Sequence, residues 1–228
     1  MKTVIVTGSG GNLGQAVVKK FIAEGCRVIG TVTKKSTDNG YPGEPFEAIT
    51  VNLTDDKETQ QMVEKVITKY NTIDVAVLTV GGFATGNIKD TTATDLLQQY
   101  QLNFESAFNA ARPIFLHMLE QKRGSIFLIG SKPGLSSQDG KGMMAYSLSK
   151  SLLFRLAELM NEEAKNTQVF TTVVVPGTID TPQNRQALPG ADVNTWVKPE
   201  TIANAIYNDA INETTARRET VLKVYSNP

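Results

Sequence analysis

Short apolar runs alternate with longer stretches of helical period along almost the whole chain. Val4-Ile5-Val6 comes first, and behind it Leu13, Ala16, Val17 and Phe21 fall at helical spacing. The same reading predicts strands over 3–7, 27–32, 47–52, 75–80, 124–129, 169–175 and 220–224, and helices over 12–24, 57–70, 94–120, 143–165 and 199–208. The strand segments are rich in Val, Ile and Leu, which suits parallel strands covered on both faces. Strands alternate with helices, with no repeat and no domain-scale linker. That order predicts a single α/β domain on a doubly wound parallel sheet of about seven strands. The longest irregular stretches are 34–45, 131–142 and 178–196. The last two follow strands and so overhang the carboxyl edge of the sheet, where open α/β sheets hold ligands. The Gly/Pro-rich stretch 39–43 reads as a plain surface loop.

The first strand-to-helix turn is Thr7-Gly8-Ser9-Gly10-Gly11-Asn12-Leu13-Gly14. Gly8 permits the tight turn, where a positive φ costs little. Gly11 leaves no Cβ between the backbone and a pyrophosphate, and Gly14 lets the helix approach the strand. The helix N-terminus then presents N–H groups and the positive end of its dipole to phosphate. A glycine turn that binds nothing is the plain alternative; the buried-type strand before the loop and the helix after it favour a dinucleotide site.

Tyr146-Ser147-Leu148-Ser149-Lys150 lies on the predicted helix 143–165. Residues four apart share a helix face, so the phenol and the ammonium project into one space. A phenol with its ordinary pKa of about 10 is a proton donor at neutral pH. A nearby ammonium is expected to lower that value and make Tyr146 a workable acid or base for an alcohol–carbonyl couple. The pair alone reads as an ordinary helix surface pair; the glycine loop upstream gives it meaning.

With these two motifs in this order, the chain resembles the short-chain dehydrogenase/reductase family over essentially its whole length, which implies a Rossmann-type fold. Further segments sit in family order: Leu78-Thr79-Val80-Gly81, Leu102-Asn103-Phe104, Gly130-Ser131-Lys132-Pro133-Gly134 and Pro176-Gly177-Thr178-Ile179-Asp180-Thr181. Within the family it is most similar to dihydropteridine reductases, through Gly81-Gly82-Phe83-Ala84-Thr85-Gly86-Asn87 and through the stretch from Asp180 to Trp196. The sequence also departs from the family pattern. Asn12 stands where many members have a glycine. Ser131 lies slightly further before Tyr146 than is usual, leaving Ser136 and Ser137 as rivals for its role.

The resemblance implies an NAD(P)H-dependent reductase acting on a carbonyl or a quinonoid dihydropterin. Tyr146 would donate the proton, Lys150 would hold the nicotinamide ribose, Ser131 would bond the substrate oxygen, and Asn103 would steady a water leading from Lys150 to solvent. The cofactor groove would comprise Gly8, Ser9, Gly11, Asn12, Leu13, Gly14, Thr33, Lys34, Asn52, Leu53, Gly81, Pro176, Gly177, Ile179 and Thr181, together with Tyr146 and Lys150. Phe83, Met144 and Trp196 are candidate pocket walls, with core or loop packing as their plain alternative. The predicted second strand ends at Val32, where NAD-binding relatives place a carboxylate, and Thr33-Lys34-Lys35 follows. A hydroxyl and two ammonium groups there favour NADP(H), with NAD(H) possible. A catalytically silent NAD(P)-binding sensor on the same fold is the alternative function; the joint presence of Ser131, Tyr146, Lys150 and Asn103 favours an enzyme.

Bulk properties narrow the partners. The chain has 228 residues, with 23 Lys+Arg balancing 23 Asp+Glu. No basic stripe points to nucleic acid. No apolar run is long enough for a bilayer, and the N-terminus reads as strand rather than signal peptide, so a cytoplasmic protein is expected. The single cysteine, Cys26, has no partner for an internal disulfide, which fits a reducing compartment. The single histidine, His117, has no histidine or cysteine partner for a metal, so no metal is expected. The partners expected are a small-molecule substrate and further copies of the chain. Family members pair through two long helices, here 94–120 and 143–165, which implies a homodimer or homotetramer.

Overall fold

The computed structural model describes residues 1–33, 41, 43–211 and 220–226. Its core is a seven-stranded sheet of order β3-β2-β1-β4-β5-β6-β7, parallel throughout. The strands are β1 (Thr3–Thr7), β2 (Arg27–Val32), β3 (Phe46–Thr50), β4 (Val75–Leu78), β5 (Arg123–Ile129), β6 (Gln168–Pro176) and β7 (Val221–Val224). Side chains alternate across each strand, so one strand feeds two cores. Ile5, Ile126 and Leu128 join the core beneath α2 (Asp56–Tyr70), α4 (Ser106–Gln121) and α6 (Met144–Glu163). Val4, Val6, Phe127 and Ile129 join the opposite core beneath α1 (Asn12–Ala23) and α8 (Pro199–Ile211). Both faces are covered, which is why the strand sequences are apolar without alternation.

Strand order reverses between β1 and β4, and a crevice opens there beyond the strands' carboxyl ends. The turn after β1, the segment after β4, Ser131 after β5 and Gly177 after β6 all lie at that edge.

Three expectations need correction. The strand predicted over 47–52 ends at Thr50, leaving Asn52 and Leu53 in the loop before α2. The strand predicted over 75–80 ends at Leu78, where Thr79 turns its hydroxyl to the Thr7 carbonyl instead of continuing the ladder. The helix predicted over 94–120 runs as α3 (Ala93–Tyr100), a π-helical turn (Gln101–Glu105) and α4. The two site-side loops carry short helices that their composition did not announce: α5 (Lys132–Leu135) and α7 (Pro182–Ala187). Among the described residues no helix is long and apolar enough to cross a membrane. Lys34, Lys35 and most of 39–43 lie outside the described residues.

Candidate active site

The glycine loop is built by backbone contacts. Gly8 takes φ +66°, and its N–H bonds the Thr31 hydroxyl at 3.2 Å. A Cβ on Gly14 would stand 2.1 Å from the Gly8 carbonyl oxygen, so only glycine lets α1 start this close to the loop. Gly11 occupies the N-cap, where no side chain caps the helix. A side-chain cap would compete with a phosphate for those N–H groups. Ser9 is the next residue expected in the cofactor groove. It is fully buried, and its hydroxyl and N–H both bond the Thr31 carbonyl, at 3.2 and 3.0 Å. Leu13 is likewise buried and belongs to the core under α1. Asn12 is exposed and donates from Nδ2 to Gln183 Oε1 on α7 at 2.8 Å.

Lys150, on the first turns of α6, reaches across to the end of β5 and donates to the Ile129 carbonyl at 2.8 Å. It is 5% exposed, and burial lowers its pKa to about 8. A Cβ on Gly81 would stand 2.7 Å from Asn103 Oδ1 and 3.0 Å from Lys150 Nζ, so the glycine after β4 brings its main chain directly against both groups. Gly134 does the same on the other side, where a Cβ would stand 2.7 Å from the Lys150 Cβ.

Tyr146 is half-buried on the turn of α6 before Lys150, with the Ser131 hydroxyl near enough to act on its phenol. Ser131 is itself buried and caps α5, accepting the Gly134 N–H at 3.1 Å. Ser131, rather than Ser136 or Ser137, is the serine that acts on the tyrosine. The expected depression of the phenol pKa by Lys150 does not appear. Burial raises the phenol pKa, the Ser131 hydroxyl partly offsets that, and the Lys150 ammonium is turned to the Ile129 carbonyl. The phenol stays protonated through neutral pH.

Asn103 is fully buried in the π-helical turn. Its Oδ1 accepts the Gly82 N–H at 2.9 Å, and Nδ2 donates to Gln99 Oε1 at 3.0 Å and to Ser149 Oγ at 3.1 Å. Both amide protons are thus committed to protein. The side-chain amide ties the loop after β4 to α6. Ser149 completes the link by donating to the Tyr146 carbonyl at 2.8 Å. Gln99, Gly82 and Ser149 were not singled out in the sequence. The spacing of Gln99 and Asn103, four apart on a helix, is the one local signal that could have flagged that pair.

The three candidate pocket walls separate in the structure. Phe83 stands edge-to-face on Tyr146, ring centroids 5.1 Å apart, and is 62% exposed, so it offers an aromatic face beside the phenol. Met144 opens α6, where its N–H bonds the Gly86 carbonyl at 2.9 Å and joins the loops after β4 and β5. Trp196 is 7% exposed, offering little surface to a ligand.

Several of the remaining residues expected in the groove have partners within the protein. Thr181 caps α7 through its hydroxyl, and Ile179 gives its carbonyl to Asn184 Nδ2 at 2.8 Å. Pro176 ends β6, and Gly177 packs against Val197, where a Cβ would stand at 3.2 Å. Asn52 Oδ1 accepts from the Thr54 N–H and hydroxyl, and Leu53 gives its carbonyl to Asn109. Thr33 is exposed at the end of β2. No group of three or more metal-ligating side chains occurs among the described residues.

The "short chain dehydrogenase" family model matches residues 2–191. The chain is 27% identical over 220 residues to a 3-oxoacyl-[acyl-carrier-protein] reductase of Thermotoga maritima, covering 90% of this chain and 88% of that protein. It is 30% identical over 210 residues to an uncharacterized oxidoreductase, YvrD, of Bacillus subtilis, covering 86% and 78%. Its fold is similar to that of ElxO with NADP bound, at a TM-score of 0.89 and 20% identity over 98% of this chain and 96% of that one. The chain belongs to the short-chain dehydrogenase family and is an NAD(P)-dependent oxidoreductase.

Proposed function

We propose that this enzyme reduces a carbonyl with NADPH, using Tyr146 as proton donor. The observation that carries the reading is the convergence of the buried Ser131 hydroxyl after β5, the Tyr146 phenol on which it acts, and Lys150 buried one turn further along the same helix. The uncapped N-terminus of α1 and the glycine cradle at Gly8, Gly11 and Gly14 fit a dinucleotide pyrophosphate, and the bare backbone at Gly81 fits its nicotinamide end. The bound nicotinamide supplies the hydride. Lys150 spends one of its three protons on Ile129 and keeps two for ribose hydroxyls. Ser131 bonds the substrate oxygen, and Tyr146 passes its proton to that oxygen as the alkoxide develops. Thr33 with Lys34 and Lys35, and no carboxylate at Val32, support NADPH over NADH. The similarity to a 3-oxoacyl reductase and to a structure with NADP bound points the same way.

A planar bicyclic acceptor such as a quinonoid dihydropterin is the second substrate reading, favoured by the exposed face of Phe83 beside Tyr146. Its likeness to dihydropteridine reductases rests on the segments at 81–87 and 180–196 alone. The test is an acceptor panel of ketones, aromatic aldehydes and a quinonoid dihydropterin, run with NADPH and NADH on the wild type and on Ser131→Ala. Carbonyl turnover that falls about ten- to a thousand-fold in kcat without the hydroxyl fits the first reading. Turnover of the dihydropterin alone, unmoved by Ser131→Ala, replaces it with the second. NADPH preference is expected to weaken in Lys34→Ala and Lys35→Ala.

A further inference from the structure

We propose that Thr31 is a positioning residue for the glycine loop, and that its hydroxyl sets how tightly the cofactor is held. The inference rests on the cofactor reading above. The pairing of β1 with β2 runs from Thr3–Arg27 to Val6–Gly30. Beyond it the chain leaves the sheet, and the N–H groups of Gly8 and Ser9 have no ladder partner on β2. Thr31 takes both. Its Oγ1 accepts the Gly8 N–H at 3.2 Å, and its carbonyl accepts the Ser9 N–H at 3.0 Å and the Ser9 hydroxyl at 3.2 Å. Thr31 and Ser9 are both buried, so water has little access to replace these bonds.

The fit needs a hydroxyl at 31 and no side chain at 30. A Cβ on Gly30 would stand 2.4 Å from Ser9 Oγ, so the loop seats on β2 only over a glycine. On the opposite side Gly8 meets packing instead. A Cβ there would stand 3.0 Å from Val80 Cγ2 and 3.2 Å from Thr79 Oγ1, and the Thr79 hydroxyl donates to the Thr7 carbonyl at 2.6 Å. The orientation of the Gly8 peptide is thus left to Thr31. That orientation matters because the rest of the loop hangs on Gly8. Its carbonyl accepts the Gly11 N–H at 3.0 Å, and a Cβ on Gly14 would stand 2.1 Å from the same oxygen. Gly11 is the N-cap of α1, and its carbonyl accepts the Gln15 N–H at 2.8 Å. A chain of contacts therefore runs from the Thr31 hydroxyl through Gly8 to the first turn of α1, whose N–H groups would face the pyrophosphate. Thr31 is itself buried and fixes the groups that would bind the phosphates.

The experiment titrates NADPH and NADH into the wild type, Thr31→Val, Thr31→Ser and Ser9→Ala, follows cofactor fluorescence, and extracts both Kd and the number of sites. Valine keeps the shape of the side chain and drops the acceptor. Loss of one neutral hydrogen bond predicts a Kd about three- to tenfold higher in Thr31→Val. The two cofactors share the pyrophosphate, so both should weaken by the same factor. Thr31→Ser restores the acceptor and should bring Kd back to within about twofold of the wild type. Ser9→Ala should shift Kd the same way by less, and it carries the test if the valine variant does not fold. A misfolded fraction would lower the number of sites and leave Kd alone; the positioning role predicts the reverse. An unchanged Kd in Thr31→Val, or in Ser9→Ala where valine does not fold, overturns the proposal. So does a loss that serine fails to recover, or a loss confined to NADPH, which would place the effect at the adenosine ribose. A wild type that binds neither NADPH nor NADH removes the cofactor reading itself, and the role of Thr31 with it.

Discussion

Lys150 is a charge placed where water is scarce, and its ammonium donates to the Ile129 carbonyl. The folded chain gives up this proton near pH 8, whereas an unfolded lysine keeps it to about 10.5. Between those values the unfolded state binds more protons, so the stability of the wild type should rise with pH across that window. Relative to Lys150→Met, the gain should approach, at most, about 3 kcal/mol, at roughly 1.4 kcal/mol per unit. Urea unfolding of both proteins at pH 7, 9 and 10.5 measures it. A gap between them that does not change with pH would mean that the ammonium is hydrated after all. Tyr146 moves the other way, its phenol raised by burial, and so remains a donor at neutral pH. Tyr146→Phe keeps the ring against Phe83 and removes only that proton. It should lower kcat about a hundred- to ten-thousand-fold while NADPH affinity, followed by fluorescence titration, stays near wild type. Retention of most of the activity on a carbonyl acceptor would take the acid role from Tyr146.

At the scale of elements, the site is an agreement among four strand ends, and glycines set how closely they meet. The turn between β1 and α1 offers a clean contrast. Gly14→Ala puts a methyl 2.1 Å from a backbone oxygen, and backbone cannot yield as a flexible side chain can. It should cost about 1–3 kcal/mol of stability as well as cofactor binding. A Cβ on Gly11 meets nothing nearer than the Gly8 oxygen at 3.3 Å, at an ordinary negative φ. Gly11→Ala should therefore melt within a few degrees of wild type yet bind NADPH weakly, because the new methyl fills the space assigned to the pyrophosphate. Thermal melts and NADPH titrations of the two variants, side by side, distinguish a structural glycine from a ligand-facing one. The π-helical turn plays a comparable part between α3 and α4. Its extra residue per turn resets the helix face, bringing Asn103 to Gly82 on one side and Ser149 on the other.

At the scale of the molecule, the two long helices leave apolar stripes in the open. Leu148, Leu152 and Leu159 lie along one face of α6, and Phe108 and Leu116 along one face of α4, all exposed in a single chain. Patches of this kind mark association surfaces. A homodimer or homotetramer is the expected state, and light scattering after gel filtration should give two or four times the 24.8 kDa of the chain. Leu148→Glu/Leu152→Glu should shift that mass towards one chain. A monomeric wild type at micromolar concentration would leave the stripes without this explanation.

Much of this protein was legible because it is local. Val4-Ile5-Val6 followed by Gly8, Gly11 and Gly14 specifies a strand, a turn and a helix start within a dozen residues, and Tyr146 and Lys150 share a face because a helix repeats every three to four residues. Such patterns carry their geometry with them, so the seven-stranded doubly wound sheet and the dehydrogenase chemistry could be read before any coordinate. What only tertiary structure decided depends on segments far apart in the chain and on how much water is left around a group. The choice of Ser131 over Ser136 and Ser137 needed the short helix α5, whose first turn captures the serine. The Asn103 network joins three elements, and the Asn12–Gln183 bond spans most of the chain. The tyrosine shows the limit most plainly. Spacing predicted an ammonium beside a phenol and hence a lowered pKa, but the fold aimed the ammonium at a carbonyl and stripped solvent from the ring. Proximity along a helix is written in the sequence; desolvation is a property of everything packed around it.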